Sequence, residues 1–319
     1  MDDKYRAVLL RTMKDFMKFC DSAGLTWYLA FGAAIGAERH KGMIPWDDDI
    51  DVYMPRKDYE KFLKMSGKVA QIAPGLEGEY DIVSTRTSDS DYPVAFAKFM
   101  DMNTTIWEQE KYPVVFGMFV DVFPLDSVGP DLDANRRLKN KYNSTFKRYR
   151  RSIRRYRLAD WLRMIVGGRF MKAAGVVKDL LWMRPRKNSL REEFNAMDAA
   201  MAESAGDMRI TLATYSSVQK VCHPKALFDG YTLADFEDFE VRLPIGDDAI
   251  LRQIYGDYMQ LPPKFERISS HSHFFVDLSR RMTIKEAKAE IRSGKREKYA
   301  GRLESSGVQI LLLPKPTEN

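Results

Sequence analysis

The sequence predicts a mixed α/β fold, a mixed sheet flanked by helices, on three observations. A stretch of about 20 residues with helical apolar spacing opens the chain. Six short runs rich in β-branched and aromatic residues follow between residues 26 and 123, with helical segments among them. After Asp126 the pattern turns mainly helical as far as Glu203. With 319 residues the chain can bury a large core.

In chain order, Val8, Leu9, Met13, Phe16, Met17 and Cys20 repeat at helical spacing, and Gly24 marks the stop. Residues 26–31 read as a strand, Gly32 as the turn that ends it, and residues 33–39 as a short helix. A loop punctuated by Gly42 and Pro45 leads to residues 49–53, where acid and apolar side chains alternate as in a half-buried strand. Pro55 ends that strand and residues 57–65 resume helical character. Residues 80–85, 94–100, 104–108 and 118–123 read as further strands. The organisation expected is a catalytic core over 1–130, a basic helical insert over 131–205, a part completing the core over 206–304, and a loosely held tail from 305.

No run of 18 apolar residues occurs, and the first ten residues carry acids where a secretion leader needs Lys or Arg, so the expectation is a cytoplasmic protein. Cys20 and Cys222 are too few for a disulfide framework and have no CxxC neighbour, which suits buried free thiols. The net charge of +6 hides an asymmetry: residues 136–191 hold 19 Lys and Arg against Asp160 and Asp179, and the rest of the chain is net acidic. A uniformly basic surface would suggest nucleic acid; here an acidic body carries a cationic insert, and the two need separate explanations.

The candidate site lies in residues 32–51. Side chains two apart on a strand share a face, so Asp49 and Asp51 present both carboxylates together while Ile50 and Val52 enter the core. Adjacent carboxylates repel unless a cation neutralises them, and oxygen ligands of this kind suit Mg²⁺, with Mn²⁺ as an alternative. Asp47 and Asp48 lie just upstream as outer ligands or as a solvated loop, and a surface charge cluster is the plain alternative for all four. A calcium loop fails, because Val52 stands where glycine makes the sharp turn and Asp58 replaces the bidentate glutamate. Asp121, flanked by valines in a buried strand, needs a partner and is the natural third ligand. A glycine turn at Gly32, an acid–apolar–acid strand and a third acid strand follow the order of a nucleotidyltransferase active site.

Residues 31–51, with Met54-Pro55-Arg56, resemble the LicD family of phosphocholine transferases. Further agreement comes from Asp91-Tyr92 through Lys98, Asp101, Asn103 and Thr104, from residues 119–126, and from Tyr255-Gly256-Asp257-Tyr258 with Leu261-Pro262-Pro263, Arg267 and His271. The resemblance implies a nucleotidyltransferase-like fold that moves a phospho-substituent from a CDP-linked donor, typically CDP-choline, to a hydroxyl of a cell-surface glycan and releases CMP. The related fukutin-related group moves phosphoribitol. Asp49, Asp51 and Asp121 are then the candidate catalytic and metal-holding residues, and Gly32, Ala33, Arg39, Lys41, Asp48, Lys98 and His271 the candidate substrate contacts. Ala33 departs from the Ser or Thr usual after the family's glycine, so either the backbone contacts the donor phosphate there or donor affinity is lower. Asp121 and Asp48 are both candidates to accept the acceptor's proton. His273 shares a possible strand face with His271; His40 and His223 read as structural. Trp27, Tyr28, Trp46, Tyr92 and Trp107 could face a choline cation, although aromatics at such positions are more often core.

The basic insert has its own reading. Cations over residues 147–157 run into Leu158, Trp161, Leu162, Ile165, Phe170 and Trp182, a mixture that suits an anionic membrane surface along 147–184. Such a seat fits a lipid-linked glycan acceptor at the inner face of the cytoplasmic membrane. Nucleic-acid binding, which the acidic body argues against, and helices packed on the body are the competing readings. A nucleotidyltransferase that moves NMP and a silent glycan- or membrane-binding scaffold are the alternatives for the whole chain.

Overall fold

A computed structural model describes residues 3–267 and 273–293. Helix α1 (Asp3–Ala23) ends at Gly24, whose φ of +63° is the left-handed conformation that closes a helix cheaply only in glycine. Strand β1 (Tyr28–Leu29), α2 (Phe31–Ile35) and a π-helical turn (Gly36–His40) come next. Then follow β2 (Asp51–Pro55), α3 (Arg56–Leu63), α4 (Val69–Ile72), β3 (Tyr80–Val83), β4 (Ala97–Asp101), β5 (Thr105–Trp107) and β6 (Phe119–Val128). Each of the six expected strand runs contains a strand. The run 26–31 shrinks to two residues because Phe31, at φ +48°, turns the chain before Gly32, which sits inside α2. The run 49–53 starts at Asp51, since Asp49 and Ile50 still belong to the incoming loop.

The central sheet runs β1–β2–β6–β4–β3, with β2 and β6 parallel and the other neighbours along it antiparallel. Alternation along the strands separates two faces. Val52, Met54, Val120, Val122 and Phe99 turn to the face covered by α1 and α3, where Phe99 meets Phe16 and Phe19 at ring separations of 5.5 Å. Truncating such a fully buried ring to Ala costs about 3–5 kcal/mol. Tyr53, Phe123 and Leu125 turn to the opposite face, against Phe228 and the helix α10 described below.

The basic segment opens with α5 (Leu132–Ser152), capped by the Asp131 carboxylate, and continues through α6 (Leu158–Val166), α7 (Phe170–Lys178) and α8 (Lys187–Ala200). Helices α5 and α8 pack through Tyr142, Phe146 and Phe194. Lys139 donates to the carbonyls of Thr211, Leu212 and Thr214 at 2.9, 2.9 and 2.7 Å, and burial pulls its amine down to about 8. By contrast α6 bears no buried residue, and Val166 at its end is 89% exposed.

The chain then returns to the core. Strand β7 (Met208–Ile210) pairs with the end of β6, α9 (Val218–Val221) follows, and β8 (Cys222–Pro224) extends β7. The hairpin β9 (Tyr231–Phe236) and β10 (Phe239–Pro244) sends Phe236, Val241 and Leu243 into the cluster formed with α1. Helix α10 (Asp247–Tyr255), β11 (Phe275–Asp277) on β5, and α11 (Ile284–Arg292) complete the described residues. Both cysteines are buried free thiols, and no described helix is long and apolar enough to cross a membrane. The tail expected from 305, the last residues of the preceding part, and His271 lie outside the described residues.

Candidate active site

The parallel register of β2 and β6 sets Asp51 opposite Asp121, and the antiparallel register of β4 and β6 sets Lys98 opposite Asp121 from the other side. Because Val52 and Val122 are committed to the α1 face, these three polar side chains must emerge on the other. Asp49 arrives from the loop. Carboxylate oxygens of Asp49, Asp51 and Asp121 lie within 4.8 Å of one another, and Asp47, Asp48 and Asp49 form a second such group that shares Asp49. At that spacing and an effective dielectric of about 20, each pair of charges repels by roughly 3 kcal/mol, so the cluster demands positive charge.

Lys98 supplies part of it. It is 1% exposed, with its amine 2.7 Å from Asp121 Oδ1, 3.8 Å from Glu108 and over the Phe119 ring. Among the described residues Lys98 faces three carboxylates, whose oxygen donors are a set that fits a hard divalent cation. Two phenols face the same charge. Burial, followed by Asp48 and Asp49, pushes the Tyr5 hydroxyl well above its ordinary range. Burial, followed by Asp51, Asp47 and Asp49, does the same to Tyr255 at the end of α10. Both hydroxyls are therefore donors at neutral pH.

The loop that delivers Asp49 is held at several points. Asp48 is buried, with Oδ2 3.1 Å from His273 Nε2. The Tyr5 hydroxyl donates to the Asp48 carbonyl at 3.0 Å and lies 3.0 Å from the same imidazole nitrogen. Glu237, in the β9–β10 turn, accepts from Arg6 at 2.5 Å and from the Met43 amide at 2.7 Å. A Cβ at Gly42 would sit 2.2 Å from Glu237 Oε1, and one at Gly32 would sit 2.5 Å from Asp47 Oδ2. A Cβ at 32 would therefore displace the Asp47 carboxylate, so what marks this glycine is the close approach of an acid rather than turn conformation.

The remaining expected contacts are distributed unevenly. Ala33 is buried behind Gly32 in α2. Arg39 donates to the carbonyls of Tyr258 and Gln260 and to His40, pinning the segment after α10 to the π-helical turn. Lys41 is exposed in a left-handed conformation, its carbonyl bonded by the Glu237 amide at 2.8 Å. Trp27, Tyr28, Tyr92 and Trp107 are buried, while the half-buried Trp46 lies under Arg267 at 5.6 Å. Arg56 and Asp126 belong to another structure: Arg56 is buried and reaches Asp126 at 2.6 Å and Asp198 of α8 at 3.1 Å.

Sequence reading missed Tyr5, Tyr255, Glu108, Glu237 and the pairing of His273 with Asp48. Tyr255 stands in a block that resembles the family and could have been singled out; Tyr5 reads only as an apolar position of a long helix.

Residues 24–152 match the family model described as LicD/FKTN/FKRP, nucleotidyltransferase domain. The lipopolysaccharide cholinephosphotransferase LicD of Haemophilus influenzae is 29% identical over 271 residues, covering 83% of this chain and 93% of that protein. All of Asp49, Asp51, Asp121 and Lys98 fall inside the matched domain. Residues 24–152 therefore carry a likeness to the LicD family, and the similarity to the Haemophilus protein extends that likeness across most of both chains.

Proposed function

We propose that this protein is a metal-dependent phosphotransferase that moves phosphocholine from CDP-choline to a hydroxyl of a lipid-linked cell-surface glycan and releases CMP. The observation that carries the reading is the convergence of Asp49, Asp51 and Asp121 within 4.8 Å on one face of the sheet. It is supported by the similarity to a named lipopolysaccharide cholinephosphotransferase.

In this reading Asp49, Asp51 and Asp121 hold Mg²⁺ or Mn²⁺, which supplies charge neutralisation at the diphosphate when bound. Lys98 fixes one oxygen of Asp121. The amides of Gly32 and Ala33, in the first turn of α2, accompany the donor phosphates, with Lys41 nearby in sequence. Asp121 or Asp48 would take the proton of the acceptor hydroxyl at its carboxylate; the Asp48 carboxylate lies against His273, and Tyr5 bonds the Asp48 backbone carbonyl. Arg39 positions the segment after α10 through its carbonyl bonds. The cationic stretch 147–184 seats the protein on the anionic inner face of the cytoplasmic membrane, where a lipid-linked acceptor is found.

Purified protein incubated with CDP-choline, Mg²⁺ and a glycolipid extract is expected to release CMP and label the glycan, and to lose both with EDTA. Pyrophosphate as the product, or turnover indifferent to chelation, would overturn the reading.

A further inference from the structure

Away from the acid cluster, the end of β5, the connection from α5 to α6 and the α6–α7 pair enclose a cleft of about 380 Å³. Trp107, Tyr156 and Trp161 give it aromatic walls, and five of its lining side chains are cationic against two acidic ones. The acids leave the cations in excess: Glu110 lies 3.6 Å from Arg157, one of the five, and Asp160 lies 3.2 Å from Arg163, which is outside the lining. Arg154 packs its guanidinium over Tyr156 at 4.9 Å, and its Nε is buried without a hydrogen-bond partner among the described residues. Burial, together with Arg154 and Arg150, lowers the Lys111 amine below its ordinary value, as expected where cations converge without matching anions. The Arg155 amide bonds the Lys111 carbonyl at 2.8 Å and fixes the two walls together.

The surroundings narrow the class of anion. Helices α6 and α7, which wall the cleft through Trp161, Met164 and Val176, leave Val166 and Phe170 89% and 65% exposed. Cationic side chains gathered beside the half-buried Arg154 suit a phosphate group, and exposed apolar side chains on the helices that wall the cleft suit acyl chains. Nucleic acid would satisfy the cations and leave the rim in water.

We propose that this cleft is a binding site for the phosphate head of a membrane lipid, with the exposed faces of α6 and α7 laid in the acyl layer beside it. The proposal rests on the membrane seat in the reading above and is independent of the transfer chemistry.

The test is co-sedimentation of the full chain with phosphatidylcholine vesicles, with or without phosphatidylglycerol. The variants are a cleft pair, Lys111→Gln with Arg154→Gln, and a pair of equal charge outside the lining, Arg163→Gln with Lys172→Gln. Wild type is expected to bind only the phosphatidylglycerol vesicles. The cleft pair should lose about tenfold more affinity than the outside pair, against the roughly equal losses of diffuse attraction. Both pairs should keep CMP release from the donor in the absence of vesicles. Equal losses in the two pairs would overturn the cleft while leaving the membrane seat standing, and absence of wild-type binding would overturn both. Glycerol phosphate binding as tightly as the vesicles, or a short RNA binding more tightly, would overturn the lipid as the source of the phosphate.

Discussion

At the scale of single residues, the site is a charge problem with separable parts. Asp49→Asn or Asp51→Asn removes one member of a mutually repelling group, so CMP release is expected to fall by on the order of a hundredfold or more while the urea midpoint holds or rises. Unfolding that tracks the lost activity would instead make these acids structural. Lys98→Met acts the other way. It strands Asp121 in a buried, like-charged setting, and breaking a pair of this kind costs about 3–5 kcal/mol. Added Mg²⁺ should restore part of that loss in urea unfolding, a readout that needs no substrate. The acids themselves were legible from sequence because an acid between two core-bound residues on a strand has only one direction to point. The pairing of Lys98 was not, since register between β4 and β6 is a long-range choice that no local pattern encodes. His273 was equally hidden: its partner Asp48 is 225 positions away, and only the folded chain brings them to 3.1 Å.

At the scale of elements, Arg56 at the start of α3 ties three pieces together. It bonds Asp126 on β6, Glu60 one turn on, and Asp198 on α8, while Arg86 bonds Glu60 and Asp198 from the far side. Arg56→Leu is expected to destabilise by about 3–5 kcal/mol in urea titrations, because buried carboxylates lose their cation. Burial pushes Asp126 up to about 6 despite this partner. His223 on β8 has the opposite sign. Burial lowers its pKa below the ordinary 6.5, and its Nδ1 lies 3.0 Å from Gln253 Oε1. Below pH 6.5 the unfolded chain therefore takes up the proton more readily than the folded one, and stability present above that pH is lost as pH falls toward the folded value. Protonation of Asp126 opposes this over an overlapping range, so the informative comparison is between variants at each pH. His223→Gln should lie below wild type in unfolding free energy at pH 7.5 and close the gap at pH 5. A gap that stays constant would show that His223 does not titrate on unfolding. The element boundaries show the same division as the residues. The stop of α1 at Gly24 and of β2 at Pro55 follow from local chemistry; the shortening of β1 follows from Phe31, wedged between Tyr53 and Phe123 at ring separations of 5.0 and 5.3 Å.

At the scale of the molecule, the basic segment divides into a packed part and a projecting part. Helices α5 and α8 are joined to the core through Lys139 and Asp198, whereas α6 and α7 carry the exposed apolar side chains. Replacing residues 157–184 by a short flexible linker is expected to change the urea midpoint little, keep CMP release from soluble donor, and abolish vesicle binding; cooperative unfolding at markedly lower urea would show these helices to be part of the core. Charge counting alone marked the whole span 136–191 as one unit, since it cannot separate cations that cap and brace from cations that face outward.

The brace on the acidic loop comes from the far end of the molecule. Glu237 clamps Met43 and Arg6, and His273 holds Asp48, yet the three carboxylates are all in place in the chain by residue 121. During synthesis, then, a ribosome that has delivered all three carboxylates has not yet delivered the parts that hold them still. The emerging polypeptide carries its acid cluster without that brace until more than a hundred further residues have been added, a built-in delay between possessing the cluster and fixing its geometry.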